Sequence, residues 1–195
     1  ENIKVIDVTP HKDISFRKFK TLKKTGIADA DKYINTAEIE IWMDVNGTPT
    51  NIARTSHYGT WSVSESSILQ GNTSEIKDGN RNNYSHTGNG DGEWQMLSSS
   101  QDIPLKDVYS VFIFGRPGFE SRSGSFEFQF LDSNNNILAT FDGVGPQTNG
   151  SGFNHFSLTQ VSSSSQTQGV IKADSMFVHE FIHKLESELS LDIHL

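Results

Sequence analysis

Ser125-Phe126-Glu127-Phe128-Gln129-Phe130-Leu131-Asp132-Ser133-Asn134-Asn135-Asn136 is the stretch that decides the fold class of this chain. Phe126, Phe128 and Phe130 alternate with Ser, Glu and Gln. That is the two-residue period by which a strand turns one face to a core and the other to water. Residues 132–136 cannot extend it. Asp and Asn side chains bond their own backbone and tolerate left-handed conformations, so the segment reads as a turn. Residues 137–141 then return as the next strand. Ile39, Ile41 and Met43 alternate in the same way with Glu38, Glu40 and Trp42. Residues 108–114 form a nearly continuous apolar run, as expected of a strand covered on both faces. Further strands are expected at residues 2–8, 15–22 and 153–158. Many short strands divided by Gly, Asn and Ser turns predict an all-β fold, a jelly-roll-like antiparallel β-sandwich over residues 1–160.

Beyond the sandwich the pattern changes. Residues 161–172 are rich in Ser and Gln and read as a linker. In residues 173–195, Phe177, Phe181, Leu185 and Leu189 fall at helical spacing, with Asp174 or Ser175 placed to cap, so a C-terminal amphipathic helix is expected. It contains His179-Glu180-Phe181-Ile182-His183. On a helix these histidines share a face and would hold a zinc, with Glu180 as general base. A catalytic zinc needs a third protein ligand. Only twelve residues follow His183, and His194 is the only histidine among them. The chain is therefore read as no enzyme, with a zinc metallohydrolase as the alternative this motif carries. The helix is expected to pack on the sandwich or on a partner, as an oligomer bundle or docking segment.

Composition narrows the partners. The chain has 195 residues and a formal net charge of −8. This argues against sequence-nonspecific nucleic-acid binding, which needs clustered Lys and Arg. One basic patch, Lys12, Arg17, Lys18, Lys20, Lys23 and Lys24, alternates with Ile14, Phe16, Phe19 and Leu22. It reads as the solvated face of a strand rather than a phosphate or membrane patch. There is no cysteine, so disulfides and thiolate chemistry are excluded. No apolar run approaches a membrane span, and no membrane insertion is expected. Glu1 stands where an initiating Met would, as expected of a processed chain or a piece of a longer one.

The polar loop Asp78-Gly79-Asn80-Arg81-Asn82-Asn83-Tyr84-Ser85-His86-Thr87 carries the first candidate site. Asp, Asn and backbone carbonyls are hard oxygen ligands of the kind calcium prefers. His86 leaves the loop as a ligand-facing polar group. A solvated surface turn is the alternative.

Asn51-Ile52-Ala53, Ile76-Lys77-Asp78-Gly79-Asn80, His86-Thr87, Trp94-Gln95-Met96-Leu97 and Val111-Phe112-Ile113-Phe114-Gly115-Arg116 follow one another here as in discoidin domains (coagulation-factor type C domains), which residues 14–158 resemble. Residues 86–138 are most similar to the fucose-binding, F-type lectin branch. That resemblance implies sugar binding by His86, Arg116 and Arg122. The family has Arg-x-Asp, then Arg or Lys after four more residues, often with a Cys pair between. This chain reads Arg116-Pro117-Gly118-Phe119-Glu120-Ser121-Arg122, without the Asp, one residue shorter and without cysteine. Strand-end charges flanking a turn are the alternative. The resemblance also implies a structural calcium, with side-chain ligands Glu38, Asp78 and Asn83 and carbonyls from Ala37, Glu75 and Asn80. An ordinary solvent-facing Glu38 is the alternative. Tyr58, Trp61, Tyr84 and Phe119 are candidate platforms for a sugar ring, and Trp94 is expected in the core.

Discoidin domains usually close with a strand pair that here comes first, as Ile14-Ser-Phe-Arg-Lys-Phe-Lys20 and Tyr33-Ile-Asn-Thr-Ala-Glu-Ile-Glu-Ile41. The order resembles a circularly shifted form of the fold, of the kind seen in large DNA virus and phage proteins. The expected function is a non-enzymatic carbohydrate or cell-surface binding module, extracellular or on a virion surface, whose partner is a glycan. The alternative is a minor capsid or fibre protein that uses the sandwich as a scaffold without sugar.

Overall fold

The computed structural model describes residues 3–7, 14–25, 33–119, 122, 126–143 and 153–159. The expected linker and helix, with His179, Glu180 and His183, lie outside the described residues.

The described residues form strands β1 (Ile3–Asp7), β2 (Ser15–Lys23), β3 (Asn35–Val45), β4 (Thr48–Asn51), β5 (Trp61–Glu65), β6 (Ser85–His86), β7 (Trp94–Pro104), β8 (Val108–Gly115), β9 (Phe126–Leu131), β10 (Ile137–Asp142) and β11 (Phe153–Thr159). One sheet runs β1-β11-β8-β3-β4, with β6 on the start of β3; the other runs β10-β9-β2-β7-β5. The pairings are antiparallel except one, since β1 lies parallel to β11. This amends the expected wholly antiparallel sandwich. A parallel pair needs a long crossover, and here the crossover is the rest of the domain.

The two sheets enclose one core. Phe16 and Phe19 of β2 and Phe128 and Phe130 of β9 belong to the same buried cluster as Ile39, Ile41, Val111 and Ile113 from the other sheet. The rings meet edge to face, with centroids 4.7 Å apart for Phe16–Phe130 and 5.1 Å for Phe19–Phe130. Such pairs add about 0.5–1.5 kcal/mol each beyond the area they bury. The alternation that predicted β9 is thus the inner wall of one sheet. Among the described residues no helix is long and apolar enough to cross a membrane.

Three expectations are corrected. First, β2 does not keep its period, because its register against β7 slips between Phe16 and Lys18. Beyond this bulge Phe19, Thr21 and Lys23 are buried and Leu22 only half-buried. Lys23 therefore leaves the solvated face: it is 1% exposed, with its ammonium 5.4 Å from the centre of Phe126. Second, Trp94 is not in the core. On β7 Gln95 and Leu97 are buried, so Trp94 faces the other way, half-buried under the Lys20 ammonium at 5.4 Å. Third, β3 is buried on both faces. Ile39, Ile41 and Met43 face the core, while Glu38 and Glu40 are buried on the opposite side.

Candidate functional site

β6 is two residues long and is fixed from both sides. Asn35 and Thr36 of β3 pair with His86 and Ser85. On the other side the His86 amide donates to Gln70 O at 2.9 Å, and the His86 carbonyl accepts the Leu69 amide at 2.7 Å. Gly71 allows this approach: its φ is +83°, and a Cβ there would lie 2.0 Å from the Tyr84 carbonyl oxygen. The Thr87 hydroxyl closes the turn by accepting the Ile34 amide at 2.9 Å.

His86 is 4% exposed. Its Nδ1 lies 2.8 Å from Thr87 O. A carbonyl only accepts, so Nδ1 carries the hydrogen. Nε2 is then the acceptor, and the Arg122 guanidinium faces it at 3.4 Å. The Tyr33 ring packs 4.7 Å from the imidazole.

Arg116 follows β8, and its amide donates to Asn35 O at 3.1 Å. Arg116-Pro117-Gly118-Phe119 is a tight turn closed by Phe119 N–H to Arg116 O at 2.9 Å, with Gly118 at φ +83°. Proline followed by a left-handed glycine is the signature of a type II turn. The turn returns Phe119 over its own first residue. The Arg116 guanidinium carbon lies 4.4 Å from the centre of Phe119 and 4.2 Å from that of Tyr84. Arg122 stacks on the same Phe119 at 4.4 Å and near Tyr33 at 5.3 Å. His86, Arg116 and Arg122 therefore converge, interleaved with Tyr33, Tyr84 and Phe119. Of the proposed platforms, Tyr84 and Phe119 belong here. Tyr58 and Trp61 instead pack against the core. Tyr33 was not anticipated. Only the Asn35–His86 pairing brings it in, and no local sequence signal carries that register.

The second set of candidates lies behind this loop, on the outer face of β3. The register against β8 slips between Thr36 and Glu38, so Ala37 has no residue opposite it. Glu38 is fully buried. Its Oε2 accepts the Gly79 amide at 2.9 Å, and its Oε1 has no partner. Burial pushes its carboxyl up to about 7, the neighbouring Glu40 and Asp78 charges add to this, and the Gly79 bond and Arg54 oppose it. Asp78 accepts the Asn80 amide at 2.8 Å and the Asn83 side-chain amide at 2.7 Å. The Asn83 Oδ1 is buried and unpartnered. The Asn80 side chain accepts the Asn82 amide at 3.1 Å. Glu75 uses its carboxylate in a capping box, accepting the Asn72 amide at 2.9 Å.

Glu40 shows what a satisfied carboxylate on this face looks like. Arg81 reaches it at 2.6 Å, Trp42 Nε1 donates to it at 2.9 Å, and the same guanidinium covers Phe114 at 3.8 Å. Among the described residues no three His, Cys, Asp or Glu side chains gather as a metal-binding group. Glu38 and Asp78 supply two carboxylates; the remaining oxygens would be the Asn83 amide and backbone carbonyls, which suit a hard cation. The solvent-facing alternative for Glu38 is excluded by its burial. Comparison of the chain with protein-family models, with curated proteins and with solved structures yields no match, so the chemistry of the site rests on these residues alone.

Proposed function

We propose that the sandwich is a non-enzymatic glycan-binding module of the discoidin and F-type lectin kind, with His86, Arg116 and Arg122 as its sugar site. One observation carries the reading. The Arg116 guanidinium is clamped between Tyr84 and Phe119, and among the described residues nothing takes its hydrogen bonds. A planar fork of five donors held rigid by two rings beside a second arginine suits hydroxyls and ring oxygens. Holding it in place before the ligand arrives lowers the ordering cost of binding.

A structural calcium fits the second set. Glu38 Oε1 and Asn83 Oδ1 are acceptors that a hard cation satisfies and a solvated turn does not. The holders would be Glu38, Asp78 and Asn83, with carbonyls of Ala37, Glu75 and Asn80. A bound calcium would neutralise the buried carboxylate. The loop so stiffened leads through Asn83 to Tyr84, the ring under Arg116. The parallel pairing of β1 with β11 makes the first and last described strands neighbours in one sheet. A module of this kind works on an extracellular or virion surface, with weak single sites raised by multivalency through an oligomer.

A glycan array tests the reading. We expect hits that Arg116→Ala weakens by at least tenfold. An array without hits, together with no thermal shift from any saccharide, would overturn it in favour of a capsid or fibre scaffold.

A further inference from the structure

We propose that the site is built for an acidic saccharide, one bearing a carboxylate or a sulfate, rather than for a neutral sugar. This rests on the glycan-binding reading and adds the charge of the ligand. Acidic residues outnumber basic ones in this chain, 24 to 16, and three described cations pair with one. Arg17 meets Asp102 at 2.7 Å, Lys24 meets Asp142 at 2.6 Å and Arg81 meets Glu40 at 2.6 Å. No described carboxylate pairs with Arg116, although it is half-buried and packed between two rings.

A second guanidinium packs on the same ring as the first. The guanidinium carbons of Arg116 and Arg122 each lie 4.4 Å from the centre of the same Phe119 ring. The His86 Nδ1 hydrogen is committed to Thr87 O. A neutral sugar seated here would cover the Arg116 charge and leave it uncompensated, which is costly. An anionic oxygen pair matches the guanidinium fork in charge and geometry and forms the stronger, charge-assisted bonds. Apolar surface borders the charge. Phe119, which packs on both guanidiniums, is 39% exposed. A ring face or an acetamido methyl fits such a border.

Calorimetric titration of the full chain with four probes tests this: lactose, 3′-sialyllactose, 6-sulfolactose and inorganic sulfate. We expect one or both acidic saccharides to bind at least tenfold tighter than lactose. Which of the two does so identifies carboxylate or sulfate as the recognised group. Arg116→Gln should erase the preference, and Arg116→Lys, which keeps the charge and loses the fork, should restore only part of it. Both variants are checked first for an unchanged melting temperature. Raising salt should weaken the acidic ligands and leave lactose unaffected. Lactose binding as tightly as the acidic saccharides overturns the proposal and leaves the glycan-binding reading standing. Binding of inorganic sulfate alone, or of no probe, overturns both.

Discussion

Two glutamates two residues apart on β3 have opposite fates. Glu40 has Arg81 and Trp42. Glu38 has one backbone amide, and its carboxyl is pushed up to about 7. Because the folded protein holds the Glu38 proton more tightly than an ordinary carboxyl, for which the value is 4.5, its contribution to stability is fully present below pH 4.5. It is lost as pH rises toward about 7. A cation at Glu38 would act in the opposite direction, since it competes with the proton. In EDTA we therefore expect the melting temperature to fall between pH 5 and pH 8. Calcium should restore it at pH 8, by on the order of 5 °C, and do little at pH 5. Glu38→Gln, neutral and of the same shape, should flatten both responses. Identical curves for the variant and the parent protein would remove Glu38 from either role. The sequence carried part of this. Asp78, Asn83 and Glu38 could be grouped from resemblance, but the burial of Glu38 could not be read from a Glu in an alternating strand. That alternation implies water on the polar face, and here the loop after Asn72 takes the water's place.

Periodicity locates strands well and fails where a strand changes register. β9, β8 and β3 were legible because their apolar positions keep a period of two or run unbroken. In β2 a bulge reverses the faces after Phe16, so Lys23 goes in and Leu22 out. On β7 the more polar Gln95 takes the interior position that Trp94 was expected to fill. Register also made Tyr33 invisible, since a pairing fifty residues away in sequence brings it beside His86. The same pairing yields a prediction about the loop that carries the site. Gly71 and Gly47 both have positive φ, +83° and +79°. A Cβ on Gly71 would meet the Tyr84 carbonyl at 2.0 Å, whereas one on Gly47, in the Asn46-Gly47 hairpin between β3 and β4, meets nothing within 4 Å. Gly47→Ala should then cost only the backbone term, about 1 kcal/mol. Gly71→Ala should cost about 2–4 kcal/mol by urea denaturation and displace β6. It should also weaken saccharide binding, which Gly47→Ala leaves intact. Equal costs for the two would mean that the Gly71 approach does not hold β6 in place.

At the scale of the molecule, residues 2–161 cluster as one unit in which the aromatic wall of one sheet meets the aliphatic wall of the other. The β1–β11 pair closes that unit on itself. Its fold class was legible in the sequence because burial, strand period and turn chemistry all agree there. The position of the ends was not, since a parallel pair between the first and last strands leaves no local trace. A unit so closed should be stable by itself. A fragment of residues 1–161 should unfold in one transition within about 2 °C of the full chain, because 1 kcal/mol moves a domain of this size by roughly 2–4 °C. Its calorimetric affinity for a soluble saccharide should equal that of the full chain. Retention on a dense glycan surface is a different quantity. If residues beyond 161 join several copies, the fragment loses the gain from linked sites, and its retention should fall on the order of 10²-fold or more. Fusing the fragment to an unrelated trimeric coiled coil should restore it. Unchanged surface retention in the fragment would show that the last residues add no valency. A melting temperature lowered by 10 °C would make them part of the sandwich's own packing.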